Sequence, residues 1–140
     1  MILLDTCVVS DSIKPDPSSA VIGWIRSLPE YRVYLPSVVV GELRRGVLLL
    51  PDGSKRAALG LWLEQLRDRF RGRVLPFDEE TALVWGALSV NAEQRGNRLP
   101  AIDSLIAAYA VRHTAVLATR NVSDFAAAGV DVVNPWDFDG

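Results

Sequence analysis

Five short apolar runs, ILLD, RVYLP, RVLPF, AVLAT and DVVN, are spread along the chain, and segments with helical spacing lie between them. Each run is rich in Val or Leu and closes on Asp, Pro, Thr or Asn, the composition of a short buried strand. The intervening patterns predict helices over about 18–28, 37–50, 54–70, 79–95 and 101–113. Ser37 and Asp78 are placed to cap two of them, and Pro100 suits a helix start, where the first N–H has no partner. Strands alternating with helices predict an α/β fold: a mainly parallel sheet in a three-layer α/β/α arrangement. No linker, repeat or low-complexity tract interrupts the pattern, so a single domain over 1–140 is expected. In such folds ligands bind beyond the carboxyl ends of the strands. Residues that follow the apolar runs are therefore the first to inspect.

Composition removes several classes of function. A chain of 140 residues, 49% hydrophobic and 23% charged, with a mean hydropathy of +0.17, can bury a self-sufficient core. The greasiest internal run, VVVGELRRGVLLL, is broken by Glu42, Arg44 and Arg45 and is too short to span a bilayer, so no membrane partner is expected. MILL lacks the basic start and longer apolar stretch of an export signal. One cysteine, Cys7, excludes an internal disulfide and fits a reducing, cytoplasmic setting. The net charge of −2 argues against a general nucleic-acid coat. Locally, RDRFRGR gathers Arg67, Arg69, Arg71 and Arg73, either as a solvated helix end or as a phosphate contact. Trp24, Trp62 and Trp85 fall on predicted helices, with a core role favoured over an interface.

Asp5 ends the first strand, in MILLDTCVVS, where it either caps the next turn or serves as a ligand. Glu42 and Asp103 are set in the otherwise apolar helices VVVGELRRG and PAIDSLIAAYA. Carboxylates so placed are costly unless a positive charge meets them. LATRNVSDF follows another strand and offers Thr119, Arg120, Asn121 and Asp124; its plain alternative is a loop with Ser123 or Asp124 as an N-cap. Acids converging on one sheet edge would repel each other unless neutralised by a cation. An all-oxygen donor set selects a hard ion, Mg²⁺ or Mn²⁺. Such an ion can activate water for phosphodiester hydrolysis without a protein base. His113, the only histidine, reads as a polar helix end, and no G-x-S-x-G elbow is present, so serine hydrolase chemistry is poorly supported.

In order and spacing, LLDTCVVS, VVVGELRRG, RVLPFDEETA, PAIDSLIAAYA, LATRNVSDF and VVNPW resemble a PIN domain, specifically the toxin nucleases of the VapC and FitB type. The resemblance implies a Rossmann-like fold, an acidic site for Mg²⁺ or Mn²⁺, and RNA as substrate. The matching acids are Asp5, Glu42, Asp103 and Asp124, and the flanking polar positions are Thr6, Thr119 and Asn121. Cys7 stands where the family usually has an Asn that supports the carboxylates; a thiol is a weak donor and acceptor and replaces it only in part. The resemblance also implies a VapB- or FitA-like antitoxin, promoter DNA bound through that antitoxin, and a homodimer or dimer of dimers. An alternative of another class is a catalytically weakened scaffold acting through antitoxin and DNA. Three other enzymes are disfavoured by the residues themselves. A haloacid-dehalogenase-type phosphatase wants an Asp where Cys7 stands, a cysteine phosphatase wants an Arg where Ile13 stands, and no G-x-G-x-x-G follows the first strand.

Overall fold

A computed structural model describes residues 1–140. Its centre is strand β1 (Ile2–Leu4), whose three residues are all buried. Successive strand side chains point to opposite faces, so burial of all three means that both faces of the sheet are covered. Strand β2 (Val33–Pro36) pairs with one side of β1, and β3 (Val74–Leu75) extends the sheet beyond it; β4 (Val116–Ala118) and β5 (Asp131–Val133) lie on the other side. The order is β3-β2-β1-β4-β5, and every pairing is parallel. The chain thus winds outward from β1 in one direction and then returns to start again at β4. That reversal opens a crevice beyond the carboxyl ends of β1 and β4.

The predicted helices are present as α2 (Ser19–Ser27), α3 (Ser37–Leu49), α4 (Ser54–Arg69), α5 (Glu79–Gln94) and α6 (Ala101–Arg112). Two short helices join them, α1 (Thr6–Asp11) directly after β1 and α7 (Val122–Ala127) after β4. The run TCVVS is rich in β-branched residues and a poor helix former, so α1 owes its form to packing: Val8 and Val9 are buried beneath it. Helix α6 is the most deeply set, with Ile106 to Ala110 all buried. Its alanines let the backbone sit close to the layer beneath. Together with Leu3, Leu35, Val39, Leu117 and Phe125, it forms one continuous core. No helix is long and apolar enough to cross a membrane.

Several expectations change in detail. Asp78 does cap α5, accepting the Thr81 N–H at 2.9 Å. Ser37, by contrast, makes no cap; the N-cap of α3 is Pro36, and the Ser37 hydroxyl meets the Tyr109 hydroxyl of α6 at 2.7 Å. The cap of α7 is Asn121, rather than Ser123 or Asp124, and its side chain makes no capping bond. Trp24 is buried and Trp62 packs against the core, whereas Trp85 is 39% exposed and donates to Ser104. Arg67, Arg69 and Arg71 pair with Glu64, Glu30 and Asp68. Arg73 donates to the carbonyls of Glu30, Val33 and Arg69. Arg67, Arg69 and Arg71 thus form a solvated, internally neutralised helix end, while Arg73 is largely buried against the backbone.

Candidate active site

Asp5 follows β1 at the crevice between β1 and β4, with only 8% of its surface exposed. Its extended backbone makes it the N-cap of α1, and its Oδ1 accepts the Thr6 N–H at 2.8 Å. The cap reading of this residue holds, and it occupies only one of the two carboxylate oxygens. The other oxygen, Oδ2, accepts the hydroxyl of fully buried Thr119 at 2.7 Å, and the Cys7 thiol lies 3.7 Å away. The Thr119 hydroxyl also accepts the Asn121 N–H at 3.0 Å, and the Asn121 amide lies 3.5 Å from Asp103. On the opposite flank, the Thr6 hydroxyl donates to Glu42 at 2.5 Å. Thr6 thus serves Asp5 with its backbone and Glu42 with its side chain. The result is a chain of polar contacts running Glu42, Thr6, Asp5, Thr119, Asn121, Asp103 from the middle of α3, past the ends of β1 and β4, to the first turn of α6.

Asp103 lies in the first turn of α6, where the helix dipole favours an acid. Its pKa is nevertheless raised, first by burial and then by the charges of Asp5 and Glu42. The Asn121 amide opposes the rise, and Asp124 adds the smallest push. Desolvation and like charge therefore outweigh the dipole. Asp103 feels all three other acids, so the four predicted acids share one electrostatic neighbourhood. Asp124 differs from the others in being exposed on α7, outside the chain of polar contacts.

These side chains do not form a closed cage: no three of them stand close enough to hold an ion directly between them. That openness suits a hydrated ion, because Mg²⁺ typically uses one or two carboxylates and keeps several waters. The donor set is all oxygen apart from Cys7. Burial, then the negative charge of Asp5, raises the thiol's pKa, against the pull of the Arg120 N–H and the Thr119 hydroxyl. A thiol held protonated in this way is neither a nucleophile nor a soft anionic ligand. The principal cavities, including one of about 610 Å³ bounded by Val84, Leu88 and Ala128, are not lined by Asp5, Glu42 or Asp103. The acids lie outside these five cavities, at the carboxyl end of the sheet.

Two features near the site escape a linear reading. Ser37 and Tyr109 join the helices that carry Glu42 and Asp103 across 72 positions. The Arg120 guanidinium lies 4.3 Å from the ring centre of Trp136, in the 3-10 turn Pro135–Asp137. The VVNPW run marked the second region, but nothing local in it announced the partner. A buried acid outside the site, Asp11, accepts the Ser18 N–H at 2.9 Å and ties α1 to α2.

A five-stranded parallel sheet with carboxylates gathered at its switch point defines an α/β protein with an acidic candidate site. Residues 2–130 match the PIN domain family, to which the chain belongs. It is 44% identical over 137 residues to Toxin FitB of Neisseria gonorrhoeae, covering 97% of this chain and 99% of that protein. It is 39% identical over 138 residues to VapC ribonuclease Y4jK of Sinorhizobium fredii, covering 98% and 99% of the two. Among solved structures, it superposes on the structure of FitAB bound to an IR36 DNA fragment with a TM-score of 0.94 at 41% identity, covering 100% of this chain and 99% of that one.

Proposed function

We propose that this chain is a divalent-metal-dependent endoribonuclease, the toxin of a VapBC-type toxin–antitoxin pair, acting in the cytosol as a single PIN unit over residues 1–140. The observation that carries the reading is the junction of Glu42, Asp5 and Asp103 through Thr6, Thr119 and Asn121 at the switch point. Similarity along nearly the whole chain to proteins named as a toxin and a ribonuclease supports it.

Asp5, Glu42, Asp103 and Asp124 would hold Mg²⁺ or Mn²⁺, directly or through water. When bound, the ion supplies a Lewis acid that activates water and neutralises charge on the scissile phosphodiester. Thr119 and the Thr6 N–H fix the two oxygens of Asp5, so one rotamer of that carboxylate faces the crevice. Thr6 likewise orients Glu42. Asn121 steadies Asp103 in its anionic form against the neighbouring acids. The partners that follow from this reading are RNA as substrate, a VapB- or FitA-like antitoxin, promoter DNA reached through the antitoxin, and a second copy of the chain in a homodimer. A weakened scaffold is the second reading, and Cys7 is what favours it: at 3.7 Å from Asp5 the thiol is a poor stand-in for an amide. Incubation of the pure protein with total RNA in Mg²⁺, Mn²⁺ or chelator tests the first reading. Cleavage is expected only with metal and is expected to be lost in Asp103→Asn with the fold intact. Equal cutting by that variant would refute the site.

A further inference from the structure

The acidic edge poses a problem of sign. A polyanionic strand must approach a cluster of carboxylates on a chain of net charge −2, so favourable contacts have to come from cations beside the cluster. The dense arginine run does not provide them, because Arg67, Arg69 and Arg71 are paired with acids and Arg73 is bonded to backbone carbonyls.

Arg120 is arranged differently. It is exposed, makes no ion pair, and stands in the chain between Thr119 and Asn121, both of which contact the acids. Its two chain neighbours are bonded to Asp5 and Asp103, so its backbone stands at the rim of the site. Its guanidinium is held 4.3 Å from the centre of the Trp136 ring. Trp136 is itself fixed: Asn134 Oδ1 accepts its N–H at 3.0 Å, and Pro135 before it is buried. An arginine resting on an aromatic ring gives up side-chain freedom before any ligand arrives and keeps its N–H edge for one.

Resting on the ribonuclease reading, we propose that Arg120, braced by Trp136, is a subsite for a backbone phosphate of single-stranded RNA adjacent to the phosphate being cut. A guanidinium offers paired donors that match two phosphate oxygens, and single strands leave their phosphates accessible to an exposed side chain such as Arg120. Trp136 is a positioning residue and Arg120 a binding residue.

The test uses a labelled single-stranded RNA, with cleavage followed in Mn²⁺ over a series of salt concentrations and binding followed separately by anisotropy. Arg120→Gln is expected to raise KM about ten-fold, with most of the effect in KM rather than kcat. It should also reduce the slope of log affinity against log salt by about 0.7, the share of one single-strand phosphate contact. Arg120→Lys should keep the slope. Trp136→Leu should raise KM with the slope unchanged, because the charge remains but is no longer held, and Trp136→Phe should restore most of the loss. Unchanged KM, binding and slope in Arg120→Gln would overturn the subsite while leaving wild-type cleavage to support the ribonuclease reading. A fall confined to kcat would overturn it too, by placing Arg120 in the metal geometry. If the wild type cut no RNA under any metal, the ribonuclease reading would fail on its own; equal RNA binding by wild type and Arg120→Gln would then overturn the subsite separately. Should the variant weaken only association with a co-expressed antitoxin, the pair is a protein contact and the proposal is wrong.

Discussion

Thr119 is the side chain on which the site's geometry depends most directly, and Thr119→Val isolates its hydroxyl at nearly constant volume. The hydroxyl is fully buried, donates to the Asp5 carboxylate at 2.7 Å and accepts the Asn121 N–H at 3.0 Å. A bond to a charged group contributes about 1.5–3 kcal/mol and a neutral one about 0.5–1.5. The buried valine methyl offsets part of that loss, so a destabilisation of about 2–4 kcal/mol is expected. With an unfolding entropy of roughly 2.1 cal/mol/K per residue, a chain of 140 residues loses about 3.4 °C for each kcal/mol. The midpoint should therefore fall by about 7–14 °C.

Urea and thermal unfolding, followed by tryptophan fluorescence in chelator, measure the effect without any contribution from metal. Thr119→Ser is the control, since it keeps the hydroxyl and removes one buried methyl, at a cost of about 1 kcal/mol. Cleavage in Mn²⁺ should fall far more in the Val variant than in the Ser variant, because only the former frees Asp5 to rotate. If Thr119→Val unfolded within about 0.5 kcal/mol of wild type, the hydroxyl would not be holding the site together. Equal losses in Val and Ser would assign the whole effect to packing.

The Asp103 pKa is raised in the fold, so between its ordinary unfolded value and that raised value the native state keeps a proton the unfolded chain has lost. Stability contributed by this group therefore falls as pH rises through that window, and the penalty persists above it. Asp103→Asn should accordingly be the more stable protein in chelator at neutral pH, with the difference shrinking as acid is added, and denaturant titrations at several pH values would show it. Cys7→Asn supplies an amide beside Asp5 and should tighten Mn²⁺ binding, measured by calorimetry, and speed cleavage; no change in either would mean that the thiol suffices. Tyr109→Phe removes only the bond to Ser37 and should lower stability by about 1 kcal/mol. A double-mutant cycle with Ser37→Ala should show the two losses to be non-additive, and simple addition would deny the link.

The parts of the molecule legible in the sequence are those that each element announces by itself. Five strands show themselves as short apolar runs and five helices by their spacing, so ILLD and PAIDSLIAAYA declare their form without reference to anything distant. Helices α1 and α7 do not, each being six residues long and too short for a period to emerge. The acids were legible for a different reason. A carboxylate among apolar neighbours is an energetic anomaly visible locally, and Asp5, Glu42 and Asp103 all carry that mark. What the sequence could not display is how the anomalies are met. Thr119 reaches Asp5 across 114 positions, and Thr6 reaches Glu42 across 36. Ser37 shows the hazard most clearly: beside a helix start its hydroxyl is chemically fit to cap, yet a tyrosine 72 residues on lies closer to hand. A short polar side chain has one best partner, and local sequence names only the nearby candidates. Asp5 escapes that conflict because a carboxylate has two oxygens. One completes the turn that its own neighbours dictate, and the other accepts the Thr119 hydroxyl that the sheet topology brings beside it.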